Sequence, residues 1–300
     1  MGLVAAGIAF VLPAAIITGF LGWAYVRLGH LPQVSGILYG IKPIVIAIIA
    51  QALWKLGPKA GKSLILVAVG VAAFAAAFMR VDAIVILIAS GALVLLIDGV
   101  SRKSPRKVPS LAVAGSALSL AGGAIPVTLL GVFLFFLKMG AVVFGSGYVL
   151  LAFLRSDLVE RWHWLTESQL LDAVVVGQVT PGPVFTTATF IGYVLAGVPG
   201  AFVATVGVFL PGFVLVALSR TLLARVRRSR DAGKFLDGVN VAALALMAYV
   251  TIQLGRAAIT DVPTSLLALV AILLTFRWRL NSAWLLIGGA TIGWFMWEFR

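Results

Sequence analysis

The chain has 300 residues, 62% of them hydrophobic and only 11% charged, with a mean hydropathy of +1.12. Soluble domains carry roughly 25% charged residues, so a soluble globular domain is excluded; the apolar runs are continuous rather than alternating, which excludes a transmembrane β-barrel. The net charge of +13 gives no reason to expect a nucleic-acid partner, because most basic residues sit in short loops between apolar runs, where orientation in a bilayer accounts for them.

The runs follow one another along the whole chain. Leu3 to Val26 reads as a first span with Pro13 as a kink, and Val34 to Trp54 as a second with Lys42 and Pro43 inside it. Leu64 to Met79 and Ala83 to Ile97 are a third and fourth, both short. The stretch Arg102-Lys103-Ser104-Pro105-Arg106-Lys107 is a basic linker. Leu111 to Ile125, rich in Gly, Ala and Ser, is a span that needs close neighbours. Pro126 to Phe144 is a strong span, and Arg155 to Gln169 reads as an amphiphilic loop. A broken apolar run follows from Leu170 to Val198, then Gly200 to Leu218 with Pro211 inside it. After the basic stretch Arg220 to Lys234, the runs Phe235 to Leu254, Ser265 to Phe276 and Ala283 to Trp297 complete the chain. The expectation is an all-α polytopic membrane protein of about eleven transmembrane helices.

If every run crosses, the loops carrying Lys55, Arg102, Arg155, Arg220 and Arg277 share one side and hold 17 Lys and Arg, against four on the other. The positive-inside rule then places the N-terminus inside the cytoplasmic membrane and the C-terminus outside. Cysteine is absent, so disulfides and thiolate metal sites are excluded. His30 and His163 are single loop histidines without a metal partner at usable spacing; no metal and no cofactor are expected. Met1 is followed at once by an apolar run, with no basic signal-peptide region.

The chain matches itself at an offset of 198: Pro13 meets Pro211, Arg27 meets Arg225, Gly40 meets Gly238 and Gly57 meets Gly255. Under the loop assignment the two copies run in opposite directions, so they form inverted repeats. The division is residues 1–98 as an N-terminal repeat, 99–125 as linker and central span, and 126–300 as a complete C-terminal repeat. The N-terminal copy lacks counterparts of the first two spans of the other. A start placed too late, a truncated gene, or a second copy or partner chain supplying the rest would each account for that.

The most informative stretch is Thr180-Pro181-Gly182-Pro183. Two prolines around a glycine end any continuous helix, and such a break is tolerated at membrane depth only where the freed backbone faces protein or a wet cavity. The half that restarts after Pro183 would aim its N-terminal N–H groups into that cavity, beside Thr186, Thr187 and Thr189, a setting suited to an anion. Thr186 and Thr189 share a helix face, whereas Thr187 points elsewhere and is expected to bond its own backbone. Gln178 and Thr180 add donors. Lys138, mid-span, is either an anion ligand or a lysine reaching for the interface. Gly145, Ser146 and Gly147 either form a concavity of backbone N–H groups or permit close helix packing. Arg155 and Glu160 belong to the cytoplasmic rim, either as solvated loop residues or as a gate. Lys42 and its counterpart Asn240 are both polar within spans, and Asp172 stands without a partner.

In the run Phe136 to Tyr148 with its Phe144-Gly145-Ser146-Gly147-Tyr148 ending, in Arg155 to Glu160, Trp164-Leu165, and in Gln178 to Pro183 with Thr189-Phe190-Ile191-Gly192-Tyr193, the chain resembles the chromate transporter (CHR) family. Ser146 stands where that family usually has a third glycine. The resemblance implies two inverted six-span halves joined by a central span, and a secondary transporter that exports chromate, with sulfate-like oxyanions as relatives, giving chromate resistance. Nothing resembles an ATP-binding loop. A membrane-embedded enzyme would need a paired acid and base or a metal cluster at membrane depth, and no such set is found.

Overall fold

Short polar caps and prolines decide where each helix begins. The computed structural model describes residues 2–29, 31–101, 126–143, 149–278 and 280–298. Every regular element among the described residues is a helix: α1 Gly2–Leu28, α2 Pro32–Ala60, α3 Leu64–Phe78, α4 Ala83–Ser101, α5 Leu129–Val142, α6 Val149–Phe153 running into a π-helical stretch Leu154–Arg161, α7 Glu167–Val179, a 3₁₀ turn Val184–Thr186, α8 Thr187–Arg228, α9 Arg230–Ala258, α10 Val262–Arg277 and α11 Ser282–Glu298. Ser63 and Thr128 accept from the N–H groups of Leu66 and Gly131 at the starts of α3 and α5, and Thr166 with Gln169, then Asp261 with Thr264, form capping boxes on α7 and α10. By length and composition the helices at 5–28, 32–60 and 231–258 can cross a bilayer, and the apolar stretch 184–217, which bends at Ala196 and Gly197, has the length to do so as well. The protein is a multi-pass membrane protein. The expected linker and central span at 102–125 lie outside the described residues.

Helices double back on one another in three places. Alpha helix α5 and the α6–π stretch lie antiparallel: Lys138 meets Asp157, the Phe135 ring sits 5.3 Å from that of Trp162, and a Cβ on Gly131 would lie 3.3 Å from Trp164. The segment expected as a solvated loop from Arg155 is therefore helix, with Arg155, Asp157 and Leu158 buried against the core. At the Thr180–Pro183 break the chain turns back, so that a Cβ built on Gly177 would overlap the Thr187 hydroxyl. Ten residues of straight helix would separate those positions by about 15 Å. The run 170–198 is thus a V rather than a single straight axis, because the prolines on either side of Gly182 withdraw the N–H groups that would carry one axis forward. Finally, α8 folds over at Ala196 and Gly197, where Gly197 has φ +63°. Across that turn the hydroxyls of Thr189 and Thr205 hydrogen-bond at 2.8 Å, which a continuous helix would hold about 24 Å apart.

The remaining helices interlock. Positions α2 and α9 begin and end 198 residues apart, and α10 and α11 begin within one residue of the same displacement from α3 and α4. Their packing exchanges partners: α2 lies on α10 and α11, and α9 lies on α3 and α4. Both crossings use glycine. A Cβ on Gly40 would be 2.7 Å from Gly293 Cα, and one on its counterpart Gly238 would be 2.9 Å from Gly91 Cα. The core between them holds Val45, Ile49, Leu246 and Leu254, and continues through Phe136, Met139, Leu154 and Leu170 to Phe190.

A candidate anion site at the helix break

Helix α1 forms the wall against which the V is seated. Ala14, one residue after Pro13, lies at Gly182; a Cβ on Gly19 would lie 3.8 Å from the Thr189 methyl; Gly22 faces Tyr193. Gly182 has φ +147°, and a Cβ there would come within 2.5 Å of the Ala14 Cβ. Glycine is thus required at the apex twice over, by backbone conformation and by contact.

The four threonines around the apex divide sharply. The Thr180 hydroxyl donates to Val176 O at 2.8 Å, and the Thr186 hydroxyl to Pro183 O at 2.9 Å. Thr189 is engaged with Thr205. The Thr187 hydroxyl is completely buried and has no partner, and the buried Nε2 of Gln178 has none either. The expectation is therefore inverted: Thr186 bonds its own backbone, and Thr187 presents the free hydroxyl. The cause is the 3₁₀ turn at 184–186, whose three-residue period rotates each side chain away from its α-helical position. Unpaired polar groups in an interior cost about 1–3 kcal/mol each, so these two donors are available to an acceptor. Pro181 is exposed and Pro183 half-buried at the mouth of the break.

Three charged networks surround this region. Lys138 is ion-paired to Asp157 at 2.9 Å. Arg155 is gripped by Glu160 and Glu167 and lies over the Tyr249 ring at 5.9 Å. That clamp ties the π stretch to the first residue of α7 and to α9. An open cleft lined by Arg80, Ser156, Glu160 and Tyr249 leads to it. Asp172, expected without a partner, is ion-paired to Lys42 at 2.8 Å and accepts from the Tyr25 hydroxyl at 2.9 Å, while the Lys42 ammonium donates to Ser168 at 3.0 Å. Tyr25 also sets its ring against Phe190 at 5.2 Å. It thereby touches both arms of the V, seven residues before the end of α7 and three after the start of α8. The only sequence sign of these partners was a carboxylate or ammonium inside an apolar run. Gly145, Ser146, Gly147 and His30 lie outside the described residues.

Breaking one half of a buried pair strands the other charge. Lys138→Met is expected to lower stability by about 3–5 kcal/mol, and Lys138→Met with Asp157→Asn to recover most of that. Thermal unfolding of the detergent-solubilised protein checks both; equal losses in the two would contradict the pairing.

Among the described residues no group of three His, Cys, Asp or Glu side chains gathers to hold a metal. No solved structure matches the chain. Its sequence is 34% identical to the chromate transport protein of Cupriavidus metallidurans over 97% of this chain and 74% of that one. It is 35% identical to the probable chromate transport protein of Synechococcus elongatus over 94% and 73%, and 30% identical to the chromate transport protein of Pseudomonas aeruginosa over 98% and 75%. The chain thus spans about three quarters of the length of these relatives. These relatives are transport proteins, not enzymes. The chromate transporter profile matches residues 1–95 and 130–294, taking in both the helix break and the α1 wall that seats it, and the chain belongs to the chromate transporter family.

Proposed function

We propose that this protein carries chromate outward across the cytoplasmic membrane, with sulfate-like oxyanions as competing cargo, and that the cargo binds at the apex of the V. The observation that carries this reading is the pair of buried, unpartnered donors, Thr187 hydroxyl and Gln178 amide, at a helix break in a chromate transporter family member. The N-terminal end of α8 adds a partial positive charge at the same place. Expelling a dianion down an inside-negative potential is favourable by about 2.3 kcal/mol per charge per 100 mV, so the potential alone suffices to drive it.

The partner exchange between α2 and α9 supports reading 1–98 and 126–300 as inverted repeats, the arrangement used for alternating access. Orientation needs a revised count. The arms of the α5 and α7 hairpins span about 20 Å at 1.5 Å per residue, short of the ~30 Å hydrocarbon core, so each hairpin returns to the side it left. Arg155 and Arg161 then move to the outer side. With 111–125 taken as a crossing, 15 Lys and Arg remain inside and six outside, and the other two of the 23 are Lys42 and Lys138 within helices. The asymmetry keeps the N-terminus inside and the C-terminus outside.

A second reading, that a partner or second copy completes the site, has one observation in its favour. Ala14 is 2% exposed against Gly182, whereas its counterpart Gly212 meets no atom within 4 Å of an added Cβ.

The test is chromate uptake into inside-out vesicles holding this 300-residue chain, with and without an imposed potential. Thr187→Val combined with Gln178→Leu is expected to cut uptake about tenfold or more, since each donor is worth about 1–3 kcal/mol. Unchanged uptake from a normally inserted double variant contradicts the apex site. Uptake that appears only on co-expression with a second chain favours the second reading.

A further inference from the structure

The stretch 154–167 gathers three departures from regular structure. Residues 154–161 form a π-helix eight residues long, a form that otherwise appears mostly as single turns and often at functional sites. His163, in the turn that follows, is exposed and holds φ +53°, a left-handed conformation that strains a residue with a side chain. Three buried polar atoms in the same stretch, Arg155 Nε, Trp162 Nε1 and Glu167 Oε2, have no hydrogen-bond partner. A buried atom left unpaired is a cost that another arrangement can relieve, and strain of this kind gathers in clamps and switch regions.

The Arg155 clamp holds the stretch in this form. Arg155 and Glu160 stand five positions apart, and the i→i+5 bonding of a π-helix brings such residues together. In an α-helix, at 3.6 residues per turn, five positions would turn the second side chain about 140° away. The Arg155–Glu160 pair therefore belongs to the π register. The other carboxylate, Glu167, is the first residue of α7. Gln178, one of the two free donors of the apex, stands on the same helix about 16 Å further along. Between them Asp172 is fixed to Lys42 and Tyr25, so a movement at Glu167 would reach Gln178 as a tilt about that point. The Glu160 and Glu167 side chains are 31% and 37% exposed, so water can solvate both once they part from Arg155. Arg155 would keep the face of Tyr249 and the border of the open cleft.

We propose that Arg155 is a latch on transport. With Glu160 and Glu167 it holds the π stretch and α7 as they stand; its release, with the stretch passing into α-helical register, frees α7 to tilt and to carry Gln178 away from the cargo. Arg155 is thus a positioning residue that touches no cargo and acts through α7. The inference rests on the apex reading above for what α7 moves, and on the clamp alone for the latch.

The chain has no cysteine, so one introduced thiol reports on the latch without background. Ala152 lines the cleft and is 4% exposed. The experiment follows the rate at which Ala152→Cys in the purified full chain reacts with a water-soluble maleimide, alone and combined with Glu167→Gln or Glu160→Gln. Each of these leaves Arg155 one carboxylate, so neither strands a buried charge. Each is expected to speed labelling about tenfold, the effect of losing one charge-assisted hydrogen bond. In inside-out vesicles each is expected to lower the maximal rate of chromate uptake about tenfold, normalised to inserted protein. Labelling no faster than in Ala152→Cys alone, or uptake at the wild-type rate, means that the clamp only braces the fold and overturns the latch. A folding defect in one variant leaves the other to decide. Thr187→Val separates the two readings: if it takes up chromate like the wild type, the apex reading fails, while the labelling rates still decide the latch.

Discussion

Replacing Gly182 by alanine is expected to reduce chromate transport about a hundredfold while leaving membrane insertion intact. Two penalties act together at that residue. At φ +147° a side chain costs about 1–3 kcal/mol in backbone strain, and the added methyl would come within 2.5 Å of the Ala14 Cβ on α1. Relief requires either the apex or α1 to move, and a displacement near 1 Å of positioned groups costs about 10²-fold in rate. Thr187 and Gln178 both hang from the segment that would shift. Adding Ala14→Gly removes the contact but not the strain, so the double variant should recover only part of the loss. Vesicle uptake normalised to inserted protein measures this. Wild-type rates from Gly182→Ala would mean that the apex geometry is not what transport depends on.

The second large effect is expected where the two halves cross. Leucine at Gly40 or at Gly238 should each lower stability by roughly 3 kcal/mol or more, because the new side chain meets backbone rather than a movable side-chain end. At Gly40 the obstacle is the backbone of Gly289 and Gly293; at Gly238 it is Ser90 O at 2.6 Å and Gly91 Cα. The two losses should be similar, since Gly238 and Gly91 stand 198 positions from Gly40 and Gly289 respectively. Gly288→Ala is the control: nothing lies within 4 Å of its added Cβ, and in a helix interior the change should be neutral or stabilising by up to about 1 kcal/mol. Thermal unfolding followed by size-exclusion of the solubilised protein distinguishes them. A large loss at one crossing and none at the other would argue against equivalent roles for the two glycines.

The α5 hairpin turns on contacts that apolar length does not reveal. Apolar length alone made 126–144 look like a crossing, but Lys138, Phe135 and Gly131 find Asp157, Trp162 and Trp164 in turn on the returning strand of helix. The polar residues that suggested a solvated loop are polar because they pair inside. A π-helical stretch at 154–161, a form concentrated at functional sites, gave no sequence sign at all, since its i→i+5 bonds follow from tertiary demand rather than from local propensity.

Composition and the placement of proline and glycine were enough to establish a helical membrane protein and to locate the break at Thr180–Pro183. Those properties are local or periodic: apolar run length, a missing backbone N–H and a residue without Cβ act wherever they stand in the chain. Which polar groups would end free was beyond such reading. Thr187 is unpartnered and Thr186 is not because a 3₁₀ turn sets their rotation, and Asp172 is engaged because Tyr25, 147 positions away in sequence, and Lys42 are brought to it by packing. A buried charge or hydroxyl takes its meaning from its nearest donor or acceptor, and for these residues only the assembled helices supply or withhold one.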